Sequence, residues 1–123
     1  MSPGAGSPVG PYSPCRRAGG WIVTSGQIGM AAGGSGLVDG GTGPQLRQAL
    51  ANLAAVLRTE GATLADVVKT TLFLADMGDL PLVNEIWMQV FEGHRPARSA
   101  VEVARLPFDA LVEVEAWAVL APG

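Results

Sequence analysis

The spacing of apolar residues predicts two amphipathic helices along the chain. Between residues 44 and 60, leucine, valine and alanine recur every three or four positions, the period of a helix with one buried face. The same spacing recurs after Asp79, which we expect to cap a second helix that tolerates Pro81 in its first turn. Gly61 is placed to end the first helix, and residues 93–96 break the chain after the second.

Five shorter runs, rich in β-branched and aromatic residues, predict strands. They cover residues 12–18, 21–25, 67–74, 99–104 and 111–120. Pro14 is expected to interrupt the first strand, and Gly19-Gly20 predicts a tight hairpin turn before the second. Thr63 and Asp66 form a capping-box pattern, which indicates a single helical turn before the third strand.

The predicted order, ββαβαββ, is typical of an α+β domain with a mixed β-sheet and two helices on one face. We expect one such domain over residues 10–123, preceded by a flexible N-terminal arm over residues 1–9, where Gly, Pro and Ser prevail. Two helices cover only one face of the sheet. We therefore expect a second copy of the chain to cover the other face, which agrees with an apolar content of 48%.

Composition excludes several classes of function. A net charge of −3 without a basic stripe argues against nucleic-acid partners and against an anionic membrane surface. The single Cys15 and single His94 argue against a disulfide, a metal site and a catalytic role for either residue. Residues 31–44 are rich in glycine but contain no phosphate-binding motif, so we interpret them as a flexible connection. With no secretory signal or membrane-spanning run in view, we expect a soluble cytoplasmic protein.

Arg98 is the best-placed candidate for ligand binding. It follows Pro96, which stiffens the chain, and it directly precedes the predicted strand at residues 99–104. A fixed guanidinium can hold a carboxylate or phosphate through two parallel hydrogen bonds. The alternative is an ordinary exposed arginine at the end of a strand.

Two glutamates on the last strand are the second candidate. Side chains alternate along a strand, so Glu113 and Glu115 share a face with Leu, Trp and Val residues, about 7 Å apart. One carboxylate would then face a water molecule in a pocket while Lys69 or Arg105 holds the other. The alternative is that both glutamates are solvated residues at an edge.

For two further polar residues, the sequence is compatible with a role in a site and with a structural role. Tyr12 either covers a pocket and donates a phenolic hydrogen bond, or it simply packs. Asn84 lies at the border of the second helix's apolar stripe, where it either bonds across a subunit boundary or faces solvent.

At these residues the chain resembles the Rid family of reactive intermediate deaminases, also called the YjgF family. The resemblance runs in family order from about residue 10 to the C-terminus. Its matching segments are Gly10-Pro11-Tyr12-Ser13, Ser25-Gly26-Gln27-Ile28, Gln48-Ala49-Leu50-x-Asn52-Leu53, Asp66-Val67-Val68-Lys69-Thr70-Thr71-x-Phe73-Leu74, Asn84, Pro96-Ala97-Arg98-Ser99 and Val112-Glu113-Val114-Glu115-Ala116.

The resemblance implies a chorismate-mutase-like fold assembled as a homotrimer with a central β-barrel and ligand sites between subunits. It implies hydrolysis of 2-iminobutanoate and 2-iminopropanoate, reactive enamine/imine intermediates, to 2-oxo acids and ammonia without a cofactor or metal. Two other functions are alternatives to this reaction. One is a trimeric module that binds small carboxylates, or acts as a chaperone, without catalysis; the other is a ribonuclease or translation inhibitor.

The resemblance also implies residue roles. Arg98 would pair with the substrate carboxylate and Glu113 would position the attacking water, across or beside a subunit boundary, so a monomer is not expected to work. The backbone at Gly26 and Ala100 would bond the ligand, with Ser25 and Tyr12 lining the cleft and Asn84 at a recurrent family position. Glu115 would serve the sheet or the interface. Pro14 replaces a common Gln and Ala100 a Cys found in some members, which leaves the shape of the pocket open.

Overall fold

The period-two runs of the sequence pair into one mixed β-sheet, against which the two amphipathic helices pack. The computed structural model describes residues 10–121, so the predicted arm at residues 1–9 lies outside the described part. The strands are β1 (Cys15–Ala18), β2 (Trp21–Thr24), β3 (Gln27–Ile28), β4 (Val67–Leu74), β5 (Ala97–Glu102) and β6 (Val112–Val119). The helices are α1 (Thr42–Arg58) and α2 (Leu80–Phe91). The predicted α+β class, with one sheet and two helices, is confirmed.

Strand order decides which residues can meet. The order is β1-β2-β6-β4-β5, with β3 also paired to β6. Only β4 and β5 run parallel, with Thr70 opposite Arg98, while the other pairs are antiparallel. The last two strands of the chain are therefore not neighbours, because β4 lies between them.

One face of the sheet forms the core with the helices. On β6, Val112, Val114, Ala116 and Ala118 are fully buried, as the alternation predicts. Leucines of α1 and the apolar stripe of α2 close over them. Each fully buried leucine or valine stabilises the fold by about 1.5–3 kcal/mol.

The opposite face of the sheet is open within a single chain. Trp117 and Trp21 are 46% and 44% exposed, and their rings meet edge to face with centroids 6.1 Å apart. Val101 and Val119 are also exposed on this side. The uncovered apolar face predicted from the sequence is therefore present.

Polar residues of α1 form hydrogen bonds with the backbone of two other segments, the turn that follows β3 and the residue that precedes β6. Asn52 is buried, and its Nδ2 donates to the carbonyl oxygens of Ile28 and Met30 at 3.0 Å each. Gln45 accepts a bond from the backbone nitrogen of Leu111 at 2.9 Å. Asn52 does not belong to the apolar stripe that the helical spacing predicts, yet it is buried, because its side chain satisfies two carbonyls inside the structure.

Several predicted boundaries shift for identifiable reasons. Strand β5 begins at Ala97, so Arg98 lies inside the strand and not before it. Asp79 does not cap α2 through its side chain, because a short 3-10 turn leads directly into the helix and leaves Asp79 in helical conformation. Its carboxylate accepts a bond from Thr42 Oγ1 at 2.6 Å, at the first residue of α1.

Other local predictions hold. Pro14 precedes β1, and its carbonyl accepts a bond from the backbone of Ser25 at 2.8 Å. Gly61 adopts a φ of +78° just after α1, a conformation that glycine reaches at little cost. Asp66 accepts a bond from the backbone of Thr63 at 2.8 Å and so opens the predicted single turn. Within residues 10–121, neither helix has the length and apolar character that crossing a bilayer requires.

Candidate active site

Arg98 lies on the helix-facing side of the edge strand β5. Its register partner on β4, Thr70, is fully buried, which identifies the face. Two residues of α2 hold the guanidinium: Asn84 Oδ1 accepts a bond from Nη2 at 2.8 Å, and the Trp87 ring lies 5.1 Å from Cζ. An amide acceptor and an aromatic face restrict the orientation of the guanidinium without neutralising its charge.

The charge of Arg98 is free to bind an anion. Within residues 10–121 the one ion pair is Arg105 with Asp109, so no carboxylate of this chain segment is paired with Arg98. Partial burial lowers the pKa of Arg98 from its ordinary value, and the arginine remains cationic at neutral pH. An incoming carboxylate would therefore find an oriented and uncompensated cation.

A cleft of about 490 Å³ opens beside this guanidinium. It lies between α2 and the loop at residues 92–96, and its walls include Asn84, Trp87, Met88, His94 and Arg95. That volume falls in the range of about 300–1,000 Å³ that is common for small-molecule sites.

His94 and Cys15 have partners that the sequence did not reveal. His94 Nε2 lies 2.6 Å from the carbonyl oxygen of Val67, which can only accept, so Nε2 carries the proton. Cys15 Sγ lies 3.8 Å from Thr59 Oγ1. Both contacts come from residues distant in sequence, which is why the sequence alone does not reveal them. No group of three or more His, Cys, Asp and Glu in the described chain is placed to hold a metal ion.

Glu113 lies on β6, on the open side of the sheet, together with Glu115. Burial raises the pKa of the Glu113 carboxyl above 4.5, and the charge of Glu115 raises it further. Lys69 donates to Ser99 Oγ at 2.7 Å, and Arg105 pairs with Asp109 at 2.8 Å. The prediction that one of these cations holds a glutamate is therefore wrong for the residues described, and Glu113 keeps its raised basicity.

The backbone at Gly26 is shaped around the Glu113 carboxylate. A Cβ at position 26 would lie 2.6 Å from Glu113 Cδ, well inside ordinary contact distance. The preceding Ser25 donates through Oγ to the carbonyl oxygen of Ser13 at 2.6 Å. This bond fastens the segment that carries the half-exposed Tyr12 to the end of β2, and Gly26 follows directly beside Glu113.

The single chain does not bring Arg98 and Glu113 together. Arg98 is level with the buried Thr70, whereas Glu113 is level with Phe73 on the opposite face of the same strand. Two strand spacings and three residues along the strand separate their backbones by about 14 Å. Asn84 and Ala100 accompany Arg98, and Ala100 packs partly against the core. Within a single chain, the candidate residues therefore lie in two separate groups, one with Arg98 and one with Glu113, on opposite sides of β4.

Comparisons with known proteins assign the chain to a family. Residues 4–120 match the family model described as Endoribonuclease L-PSP. The human protein named 2-iminobutanoate/2-iminopropanoate deaminase is 43% identical over 98% of this chain and 86% of its own length. Relatives in Pyrococcus horikoshii and Synechocystis carry only the name RutC family protein.

Solved structures extend the likeness to three dimensions. A Rid family protein of unknown function from Yersinia pestis is 40% identical, with a TM-score of 0.91 over 98% of this chain and 96% of its own. TdcF of Escherichia coli, solved with bound serine, is 36% identical, with a TM-score of 0.87 over 98% of this chain and 94% of its own. Sequence match, strand order and these structural neighbours agree, and the chain therefore belongs to the YjgF/Rid family.

Proposed function

We propose that this protein is a 2-iminobutanoate/2-iminopropanoate deaminase, which hydrolyses small 2-imino acids to 2-oxo acids and ammonia. The observation that carries the proposal is Arg98, an oriented guanidinium with no carboxylate partner in the described chain, in a cleft of small-molecule size. The name of the human relative supports the same reaction.

Arg98 would bind the substrate through its carboxylate. One guanidinium N–H is engaged by Asn84, and the others are available for a bidentate pair with the two carboxylate oxygens. Binding at the carboxylate leaves the imine carbon of the substrate exposed at a fixed distance from the arginine. Much of the rate gain would come from this orientation, since an iminium carbon is already electrophilic.

Glu113 would act on the water molecule. Its raised pKa makes the carboxylate a better acceptor for a water proton than an ordinary glutamate. Water adds to the iminium carbon and loses its proton to Glu113, giving a carbinolamine. The proton then returns to the nitrogen, and the C–N bond breaks as Glu113 accepts the hydroxyl proton and the carbonyl of the 2-oxo acid forms. Glu113 passes this proton to the departing ammonia, which leaves as ammonium. One water is consumed and one ammonia is released, with no oxidation or reduction.

The two halves of the site would meet between copies of the chain. We propose a homotrimer in which the open sheet faces, with Trp21 and Trp117, line a central β-barrel. An edge strand such as β5 also has an unpaired side that a neighbouring copy can approach. In that arrangement Arg98 of one copy would lie opposite Glu113 of the next.

A coupled assay tests the reaction. An L-amino-acid oxidase generates the imino acid, semicarbazide traps the fraction that survives, and a deaminase lowers the yield of semicarbazone. Arg98→Ala should abolish this effect, and Glu113→Gln should retain binding of the 2-oxo acid while slowing hydrolysis. Wild-type turnover in Arg98→Ala would exclude the assigned role of the arginine. Size-exclusion chromatography with light scattering checks that each variant keeps the wild-type mass.

A second candidate function is binding without catalysis. The solved TdcF with bound serine shows a family member holding a small amino acid, and the Arg98 half of the site suits any small carboxylate. The two functions differ in one measurement. A binding module would take up 2-oxo acids in calorimetry but leave the semicarbazone yield unchanged at every protein concentration. A ribonuclease role, which the description of the family model names, is disfavoured by the net charge of −3.

A further inference from the structure

The cleft beside Arg98 is larger than a three-carbon imino acid needs. Once the ligand carboxylate is seated on Arg98, most of the 490 Å³ remains for the ligand's side chain. The groups around this remaining volume therefore decide which side chains are accepted. Three of them are charged or titratable and come from the loop after α2: Glu92, His94 and Arg95.

Arg95 extends from a loop that is fixed at several points. The backbone of His94 donates to the carbonyl of Phe91 at 3.0 Å, and its ring donates to the carbonyl of Val67 at 2.6 Å. Pro96 then restricts the backbone immediately after Arg95. The exposed side chain of Arg95 is thus mobile, but the position from which it extends is held.

The two arginines of the cleft are spaced to hold two anionic groups of one ligand. Three residues of chain separate Arg95 from Arg98, so their Cα atoms are at most about 10 Å apart. Both side chains line the same cleft, and neither has an ion-pair partner among residues 10–121. Glu92 is the one carboxylate on the cleft wall, so the two guanidinium groups leave an excess of positive charge.

We infer that Arg95 forms a second anion subsite, which favours 2-imino acids that carry a carboxylate on their side chain over those with an alkyl side chain. This inference rests on the proposed function for the reaction, but not for the binding preference. Arg98 takes the carboxylate next to the imine, and Arg95 takes the distal one. Because Arg95 is exposed, the gain is that of a solvent-accessible charge pair, about fivefold in affinity.

Binding of stable products measures the subsite without any catalysis. We expect the wild-type protein to bind 2-oxoglutarate about fivefold more tightly than 2-oxobutanoate in titration calorimetry at low salt. Arg95→Gln should remove this preference while leaving the affinity for 2-oxobutanoate unchanged. Arg16→Gln changes the net charge equally on the exposed strand β1, away from the cleft, and should keep the preference.

The coupled assay gives a second reading, with imines generated from glutamate and from 2-aminobutanoate. The ratio of their kcat/KM values should fall about fivefold in Arg95→Gln and stay constant in Arg16→Gln. Equal affinities for the two oxo acids in the wild type, or a preference that survives Arg95→Gln, would overturn the subsite. If neither imine is hydrolysed but the binding preference depends on Arg95, the proposed function fails and the subsite stands.

Discussion

The close contact between Gly26 and Glu113 leads to a prediction in which the carboxylate proposed to act in catalysis is displaced but not removed. In Gly26→Ala the new Cβ would lie 2.6 Å from Glu113 Cδ. Restoring an ordinary carbon–carbon separation of about 3.5 Å requires the carboxylate to retreat by about 1 Å. A displacement of that size at a catalytic group costs about 100-fold in rate. We therefore expect kcat/KM for 2-iminopropanoate to fall about 100-fold.

The assay for this prediction separates catalysis from folding and from binding. Turnover is measured by the semicarbazone competition, and the affinity for 2-oxobutanoate by calorimetry. That affinity should fall much less than kcat/KM, because the Arg98 guanidinium that takes the ligand carboxylate lies on the other side of β4 and is not displaced. Gly43 lies inside α1 and supplies the matched control, because the new Cβ of Gly43→Ala would meet Ile86 of α2 at an ordinary distance of 3.5 Å. This variant should leave turnover unchanged.

Two results would decide against this reasoning. Wild-type turnover in Gly26→Ala would show that the carboxylate does not work from its position over Gly26. A loss of the folded state would instead be visible in thermal unfolding, and Glu113→Ala in the Gly26→Ala background, which removes the Cγ, Cδ and Oε2 atoms that the new Cβ would meet, should then restore stability. Failure of that restoration would mean that the clash is not with Glu113.

Three further predictions concern the charge on Arg98, the titration of Glu113 and the anchoring of the turn after β3. Asn84→Asp should weaken 2-oxobutanoate binding at least tenfold in calorimetry, because a carboxylate 2.8 Å from Arg98 neutralises the guanidinium. Asn84→Gln is the neutral control and should bind 2-oxobutanoate more tightly than Asn84→Asp. The pKa of Glu113 is raised above 4.5 in the folded state, so the folded state binds more protons than the unfolded one, and the free energy of unfolding decreases as pH rises from 4.5 through that raised pKa. Glu113→Gln should remove this decrease when the free energy of unfolding is measured by urea titration at several pH values. An unchanged dependence on pH in the variant would refute the reasoning. The acidic limb of kcat/KM should lie above pH 4.5 for the same reason. Asn52→Leu should lower the free energy of unfolding by about 2–5 kcal/mol, because two buried carbonyls lose their donor, whereas Arg16→Gln should change it by less than about 0.5 kcal/mol.

The elements of this fold are readable from the sequence because each has a local cause. The apolar period of α1 and the alternation of β6 follow from helix and strand geometry, and both hold in the structure. Asn52 is one of the polar residues of α1 that are buried. Its polar side chain predicts exposure, and only the position of β3, a two-residue strand without a sequence signal, explains its burial.

The candidate site residues can be named from the sequence, but their arrangement cannot. Alternation shows that Glu113 and Glu115 share a face, but it carries no information on which face receives the helices. Neither does it reveal that β4 is inserted between β5 and β6, which sets Arg98 and Glu113 on opposite sides. The contact of His94 with Val67 spans 27 residues of sequence and depends on the same tertiary arrangement.

The insertion of β4 between the two halves has a consequence for mixtures of inactive proteins. If each working site takes its arginine from one copy and its glutamate from another, Arg98→Ala and Glu113→Gln are defects in different halves of every chain. Subunits exchanged between the two variants would then create some interfaces in which an intact arginine lies opposite an intact glutamate. Activity would appear on mixing two protein solutions that are inactive when assayed separately, and the amount of activity would report how readily the copies exchange.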